Sequence, residues 1–116
     1  MKKNKIYHLG TCSTCQGILK KLNTSSCILQ DIKQEAITPE QLDSMAALSG
    51  SYEALFSRRA IKYRTLQLKD KKLTEKDYRK LILSEYTFLK RPVIIAGKEI
   101  FIGTIKAEIE KAKLKL

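Results

Sequence analysis

Two cysteines lie three positions apart near the start of the chain, in the stretch "YHLGTCSTCQGIL". Cys12 and Cys15 follow a short apolar run and stand where a helical pattern begins, so they fall on a turn from a strand into a helix. Unpaired backbone N–H groups at a helix N-terminus stabilise negative charge, which favours the thiolate of the first sulfur. The spacing suits attack by Cys12 and resolution by Cys15 in thiol–disulfide exchange.

Two other interpretations of the pair stay open at this point. Two cysteines make half of a zinc site, but a four-ligand site needs a second pair, and only Cys27 and His8 remain as ligands of that kind. The two thiols could also be small side chains that pack in a core. Cys27 lies in the apolar stretch "SSCIL" and is predicted to be structural.

Three arginines are candidates for holding an anion, because a guanidinium binds oxyanions with two parallel hydrogen bonds. Arg91 directly precedes Pro92, and Arg58 and Arg59 follow an apolar segment. By themselves these patterns are more typical of a trans proline at a strand start and of a solvated helix end.

Composition predicts one cytoplasmic globular domain. The chain has 116 residues, 43% of them apolar and 30% charged, which is ordinary for a soluble protein. The N-terminal "MKKN" is basic, but the apolar run behind it is too short for a signal peptide, and nothing resembles a membrane span. Reducing compartments keep thiols free, so a disulfide framework is not expected.

The formal net charge of +11 is the most unusual compositional feature. Basic residues are spread along the chain and interleaved with acidic ones, as in "KAEIEKAKLKL", which is typical of solvated helix faces. Direct nucleic-acid binding is therefore a hypothesis that rests on charge alone, and it is not the favoured one.

The first third of the chain reads as strand, helix, strand. "NKIYHLG" alternates as a strand does, "STCQGILKKLN" has helical spacing with Ser13 available as a cap, and "SSCILQDIK" is a second strand. A unit of this order favours parallel pairing of its two strands.

The middle of the chain is predicted to be helical. Thr38 and Gln41 form a capping-box pattern before a helix that stops at Gly50, and Thr74 with Asp77 marks another helix start. Between them "SYEALFSRRAIKYRTLQL" predicts a further helix over 51–68. "RPVIIAGKEIFIG" then predicts a β-hairpin, and a last helix is expected at about Thr104 to Lys113. The fold class is α/β with a mixed four-stranded sheet.

Four stretches resemble the arsenate reductase family, which also includes the Spx regulators. They are "YHLGTCSTC", "LFSRRAIKYRTL", "LTEKDYRKLI" and "FLKRPVIIAGKEIFIG", in the family's order and spacing. The resemblance implies a single thioredoxin-like domain over residues 1–116, with a helical insertion at about 37–86 and a cis Pro92 that faces the reactive sulfur.

The resemblance also implies roles for individual residues. Cys12 matches the cysteine that attacks arsenate, and Arg91 matches an arginine that holds the oxyanion. Glutathione with glutaredoxin, or a dithiol protein such as thioredoxin, would supply electrons, and no bound cofactor is expected. The substrate-contact residues expected around the nucleophile are Thr11, Ser13, Arg58, Arg59 and Pro92.

This sequence departs from the reductase pattern at three positions. Ser57 and Gly103 stand where relatives carry two further oxyanion arginines, and Gln16 stands where an arginine is common near the nucleophile. The alternative is an Spx-like redox-switched regulator that binds the C-terminal domain of the RNA polymerase α subunit. Gly50 and Arg58 match the residues that make that contact.

Overall fold

The computed structural model describes residues 4–116, and the chain divides into two compact units. The first contains the chain up to Ala36 together with Arg91–Leu116, and the second contains Ile37–Lys90. The first unit holds the whole β-sheet and the CxxC pair. That the chain forms a single domain with an insertion at about 37–86 stays a prediction.

The first unit is built on one mixed sheet with the strand order β2-β1-β3-β4. The strands are β1 (Asn4–His8), β2 (Cys27–Asp31), β3 (Val93–Ala96) and β4 (Glu99–Ile102). β1 pairs in parallel with β2 and antiparallel with β3, and β3 pairs antiparallel with β4. The predicted four-stranded mixed sheet and its hairpin are confirmed.

The helices are α1 (Ser13–Lys21), α2 (Pro39–Ser49), α3 (Ile61–Thr65), α4 (Glu75–Ser84) and α5 (Lys106–Lys115). α1 and α5 both contribute to an apolar core with the sheet, and α5 starts two residues later than predicted because Ile105 takes the N-cap position. The buried members of this core are Ile6, Leu22, Cys27, Ile94, Ala96, Phe101, Ile109 and Ala112. Cys27 is thus a core residue, as its apolar strand predicted.

The two predicted helix starts in the second unit are confirmed in detail. The Thr38 side chain accepts a hydrogen bond from the Gln41 N–H, and the Gln41 side chain accepts one from the Thr38 N–H, both at 3.0 Å. Thr74 and Asp77 form the same reciprocal arrangement at the start of α4. Gly50 ends α2 with a φ of 93°, a left-handed conformation that glycine adopts without a steric penalty.

The prediction of one helix over 51–68 is wrong. Two short 3₁₀ turns and the five-residue α3 occupy this region, and an extended stretch around Phe56 separates the first turn from α3. Phe56 forms an isolated antiparallel bridge with Leu89, and the Lys90 N–H donates to the Leu55 carbonyl at 2.8 Å. The Phe56 ring stacks on Phe88 with centroids 5.1 Å apart. This long-range pairing outweighs the local helical pattern.

We expect Thr38→Ala to lower the free energy of unfolding by about 1 kcal/mol, because the first turn of α2 loses its side-chain acceptor. Chemical denaturation followed by circular dichroism measures this. Ser44→Ala is the matched control, since Ser44 is exposed in the middle of the same helix and caps nothing. Equal effects of both substitutions would contradict the assigned role of the cap.

Candidate active site

Cys12 is the N-cap residue of α1, with φ −93° and ψ 110°, and its side chain is partly exposed. Its N–H donates to the Leu9 carbonyl (3.1 Å), and its own carbonyl accepts from the Gln16 N–H (3.0 Å). Ser13, predicted as the cap, is instead the first helical residue, because the turn after β1 closes at Cys12. The first turn of α1 contains no acidic side chain, so none of its own residues opposes the positive end of the helix.

Cys15 lies one turn into α1 and is completely buried. Burial raises the pKa of the Cys15 thiol, a backbone hydrogen bond of Leu9 opposes that shift, and negative charge at Cys12 adds to it. The positive charge of Arg91 acts to lower the pKa of Cys15. All three cysteines of the chain are free thiols. The pair therefore consists of an accessible sulfur and a protected one.

Arg91 and Pro92 directly precede β3. The Arg91–Pro92 peptide bond is cis, as the resemblance implied, and Pro92 is fully buried. The Pro92 carbonyl accepts a hydrogen bond from the Gly103 N–H at 2.9 Å. The positive charge of Arg91 acts on Cys15, which places this arginine near the pair.

Gly103 has a physical reason for not being an arginine. Its φ is 84°, in the left-handed region that residues with a Cβ rarely adopt, and it follows directly after β4. A side chain here costs about 1–2 kcal/mol relative to glycine. The departure from the oxyanion-arginine pattern is therefore built into the backbone at this turn.

Asp31 is a site residue that the sequence did not reveal. It ends β2, and its carboxylate accepts hydrogen bonds from the Gly10 N–H (3.2 Å) and the Lys33 N–H (3.0 Å). Desolvation acts to raise the pKa of Asp31, but hydrogen bonds from these backbone groups outweigh it, and the pKa is lowered. No local motif marks this aspartate, since Gly10 lies 21 residues away in the chain.

Gln16 ties the first turn of α1 to the end of β1. Its Nε2 donates to the Leu9 carbonyl at 3.0 Å and lies 3.2 Å from Nδ1 of His8. Leu9 thus accepts from both Gln16 and Cys12 through one carbonyl oxygen. Gln16, a departure from the reductase pattern, therefore supports the turn that leads to Cys12.

The remaining predicted contact residues fall into two groups. Thr11 and Ser13 are exposed on either side of Cys12. Arg58 and Arg59 belong to the second unit, where Arg58 pairs with Glu53 (2.9 Å) and donates to the Tyr78 hydroxyl (3.0 Å).

Ser57 lies in the same unit as these two arginines, and its N–H donates to the Phe88 carbonyl. The reductase pattern would place an arginine at this position. This chain has a small side chain there instead, and its backbone is hydrogen-bonded to Phe88.

Within residues 4–116, no three His, Cys, Asp or Glu side chains are arranged so that they could hold a metal ion. In the same part of the chain, every helix is too short or too polar to cross a bilayer.

The mixed four-stranded sheet and the helix that follows Cys12 define an α/β fold of the thioredoxin-like class. The chain belongs to the ArsC family, whose sequence profile matches residues 7–112. This family contains thiol-dependent reductases, which take electrons from thiol donors such as glutaredoxin.

Solved structures of similar proteins agree with this assignment. An ArsC family related protein from Bacteroides fragilis has 28% identity and a TM-score of 0.81, covering 96% of this chain and 98% of that one. A Staphylococcus aureus protein solved in solution has 28% identity and a TM-score of 0.75, covering 93% and 96%. An arsenate reductase from Vibrio cholerae shares the fold, with 20% identity, a TM-score of 0.74 and 97% of both chains covered. Among curated proteins, none matches the sequence significantly.

We expect Cys12 to be alkylated in the folded protein while Cys15 and Cys27 are protected, because the last two are buried. Protection of a buried thiol requires local or global opening, so the difference in rate should exceed about 100-fold. Iodoacetamide labelling with peptide mass spectrometry measures it. Labelling in denaturant is the control, since all three thiols should then react alike.

The raised pKa of Cys15 predicts a loss of stability at alkaline pH. As the pH rises through about 8.5, the unfolded chain loses the thiol proton before the folded chain does. The free energy of unfolding therefore keeps its full value below that pH and falls above it. Urea denaturation of wild type and Cys15→Ala at about pH 7 and pH 9.5 tests this. An equal decrease in both proteins would contradict the role of Cys15.

Proposed function

We propose that the chain is a thiol-disulfide oxidoreductase of the ArsC family, with Cys12 as the nucleophile and Cys15 as the resolving thiol. One observation carries the proposal: the partly exposed Cys12 caps α1, while Cys15 is buried one turn below it with a raised pKa. The exposed sulfur can meet a substrate, and the protected one keeps its proton until an intermediate forms. A cytoplasmic location belongs to the proposal, since a reducing compartment keeps the pair reduced.

The reaction on a disulfide has two exchange steps. The Cys12 thiolate attacks one substrate sulfur, which forms a mixed disulfide and releases the other sulfur as a thiolate. Cys15 then loses its proton and attacks the Cys12 sulfur, forming the Cys12–Cys15 disulfide and releasing the second substrate thiolate. Two electrons have moved from the dithiol to the substrate. Glutathione, glutaredoxin or thioredoxin would return them.

An oxyanion such as arsenate is the other substrate class. The Cys12 thiolate would attack the arsenic atom and displace an oxygen as water, and attack by a second thiol on the Cys12 sulfur would release arsenite. Arg91 is the proposed anion contact because its charge acts on Cys15, one turn from Cys12. Thr11 and Ser13 flank the attacking sulfur, with Pro92 beside Arg91. Arg58 and Arg59 remain predictions for this role.

The second candidate is a redox-gated binding protein that contacts the RNA polymerase α subunit. Gly50 is exposed at the end of α2, and the Arg58 side chain keeps 47% of its surface exposed despite its pairing with Glu53. Both residues are thus accessible for a contact. This candidate predicts a stable complex without turnover.

Cys12→Ser should abolish reductase activity toward arsenate and toward a small disulfide, because no other accessible thiolate replaces it. Cys15→Ser should instead accumulate a mixed disulfide on Cys12, since the resolving sulfur is gone. Coupled assays with glutathione, glutaredoxin or thioredoxin measure turnover, and intact mass spectrometry detects the adduct.

Cys27→Ala is the matched control, because it removes a thiol from the core and leaves the pair intact. Full activity in Cys12→Ser on the substrates that wild type reduces would refute the proposal. Absence of turnover in wild type, together with binding to the polymerase α C-terminal domain, would favour the second candidate.

A further inference from the structure

Asp31 connects two loops at one end of the sheet. Its Oδ2 accepts from the N–H of Gly10, in the turn that leads into α1, and its Oδ1 accepts from the N–H of Lys33, after β2. A carboxylate that accepts backbone N–H groups forms charge-assisted hydrogen bonds, which are stronger than neutral ones. The turn before the nucleophile is therefore attached to the strand beside it.

The fit between Asp31 and Gly10 is close. A Cβ added to Gly10 would collide with the Asp31 carboxylate, so any other residue at this position would displace the Asp31 side chain from the Gly10 N–H. The position of the aspartate follows from strand pairing, because Asp31 lies opposite His8 in the parallel register of β1 and β2. The pairing of β1 with β2 therefore places the Asp31 carboxylate near the turn that follows β1.

Residues at the start of α1 also hold this turn, through the carbonyl of Leu9. The Leu9 carbonyl accepts the Cys12 N–H and the Gln16 side chain, while the Asp31 carboxylate holds Gly10 between them. Each of these contacts restrains the four-residue turn from Leu9 to Cys12. The direction of the Cys12 backbone, and with it the placement of the sulfur at the N-cap, depends on this turn.

We propose that Asp31 is a positioning residue for the nucleophile: its carboxylate fixes the turn from Leu9 to Cys12, so that the Cys12 sulfur stays at the positive end of α1. The proposal rests on the proposed function, since it assigns Asp31 to the reaction of Cys12. Its test uses the reactivity of the Cys12 thiol itself and does not depend on the identity of the substrate.

A positioning role and a simple charge role predict opposite results. The Asp31 charge contributes to the raised pKa of Cys15. If Asp31 acted only through its charge, removing that charge would favour negative charge nearby and make alkylation faster. Loosening the turn would move the sulfur away from the helix N-terminus and slow alkylation. The sign of the change therefore distinguishes the two roles.

Asp31→Asn should slow the alkylation of Cys12 by iodoacetamide at neutral pH by up to about tenfold, because the neutral amide keeps one oxygen acceptor and leaves the other N–H group without its charged partner. Asp31→Glu keeps the charge but displaces its oxygens by one methylene, and it should slow the reaction as well. Amide hydrogen exchange at Gly10, followed by NMR, should become faster in both variants. Asp77→Asn is the matched control, because Asp77 caps a helix in the second unit in a similar way.

Gly10→Ala approaches the same contact from the other side, and it remains informative if an Asp31 variant folds poorly. It should slow Cys12 alkylation, and the combined Gly10→Ala, Asp31→Asn variant should be no slower than the slower single variant. Faster or unchanged alkylation in Asp31→Asn, or a wild-type rate in Asp31→Glu, would overturn the proposal. A protein without reductase activity but with these alkylation rates would refute the proposed function and leave the role of Asp31 supported.

Discussion

The parallel register of β1 against β2 is the constraint on which the candidate site depends. It sets His8 opposite Asp31 at the ends of the two strands, where the chain turns toward Cys12. A shift by one residue would turn the side chains of β2 to the opposite face and remove Asp31 from this place. The buried Ile6 and Cys27 hold this register, because both must face the same apolar core. Apolar packing thus determines where the polar contacts of the site can form.

The two sulfurs of the pair have different environments although they lie on the same helix. Cys12 ends a turn and its side chain is partly exposed, whereas Cys15 is buried in the first turn of α1. A symmetrical pair would offer an incoming molecule two equivalent points of attack. Here the fold distinguishes the thiols by burial, and the neighbouring charges of Arg91 and Asp31 act on the inner thiol in opposite directions.

The features that sequence predicted correctly are those encoded by neighbouring residues. The strand–helix turn with its cysteines, the capping boxes at Thr38 and Thr74, and the glycine turn of the hairpin each need only a few adjacent positions. The helix expected over 51–68 failed because Phe56 pairs with Leu89, far along the chain. Asp31 was missed for the same reason, since its partner Gly10 is remote in sequence and an aspartate at a strand end has no distinctive pattern.

Gly103 restricts how this site can change over time. Its left-handed backbone and its hydrogen bond to the Pro92 carbonyl together define the exit from the hairpin. A change to arginine would place a side chain on this left-handed backbone at a cost of about 1–2 kcal/mol, although a Cβ there would meet no atom of the described residues within 4 Å. An arginine at this position would therefore lower the stability of the turn that contacts Pro92. Thr11 and Ser13, which are exposed on either side of Cys12, carry no such backbone cost.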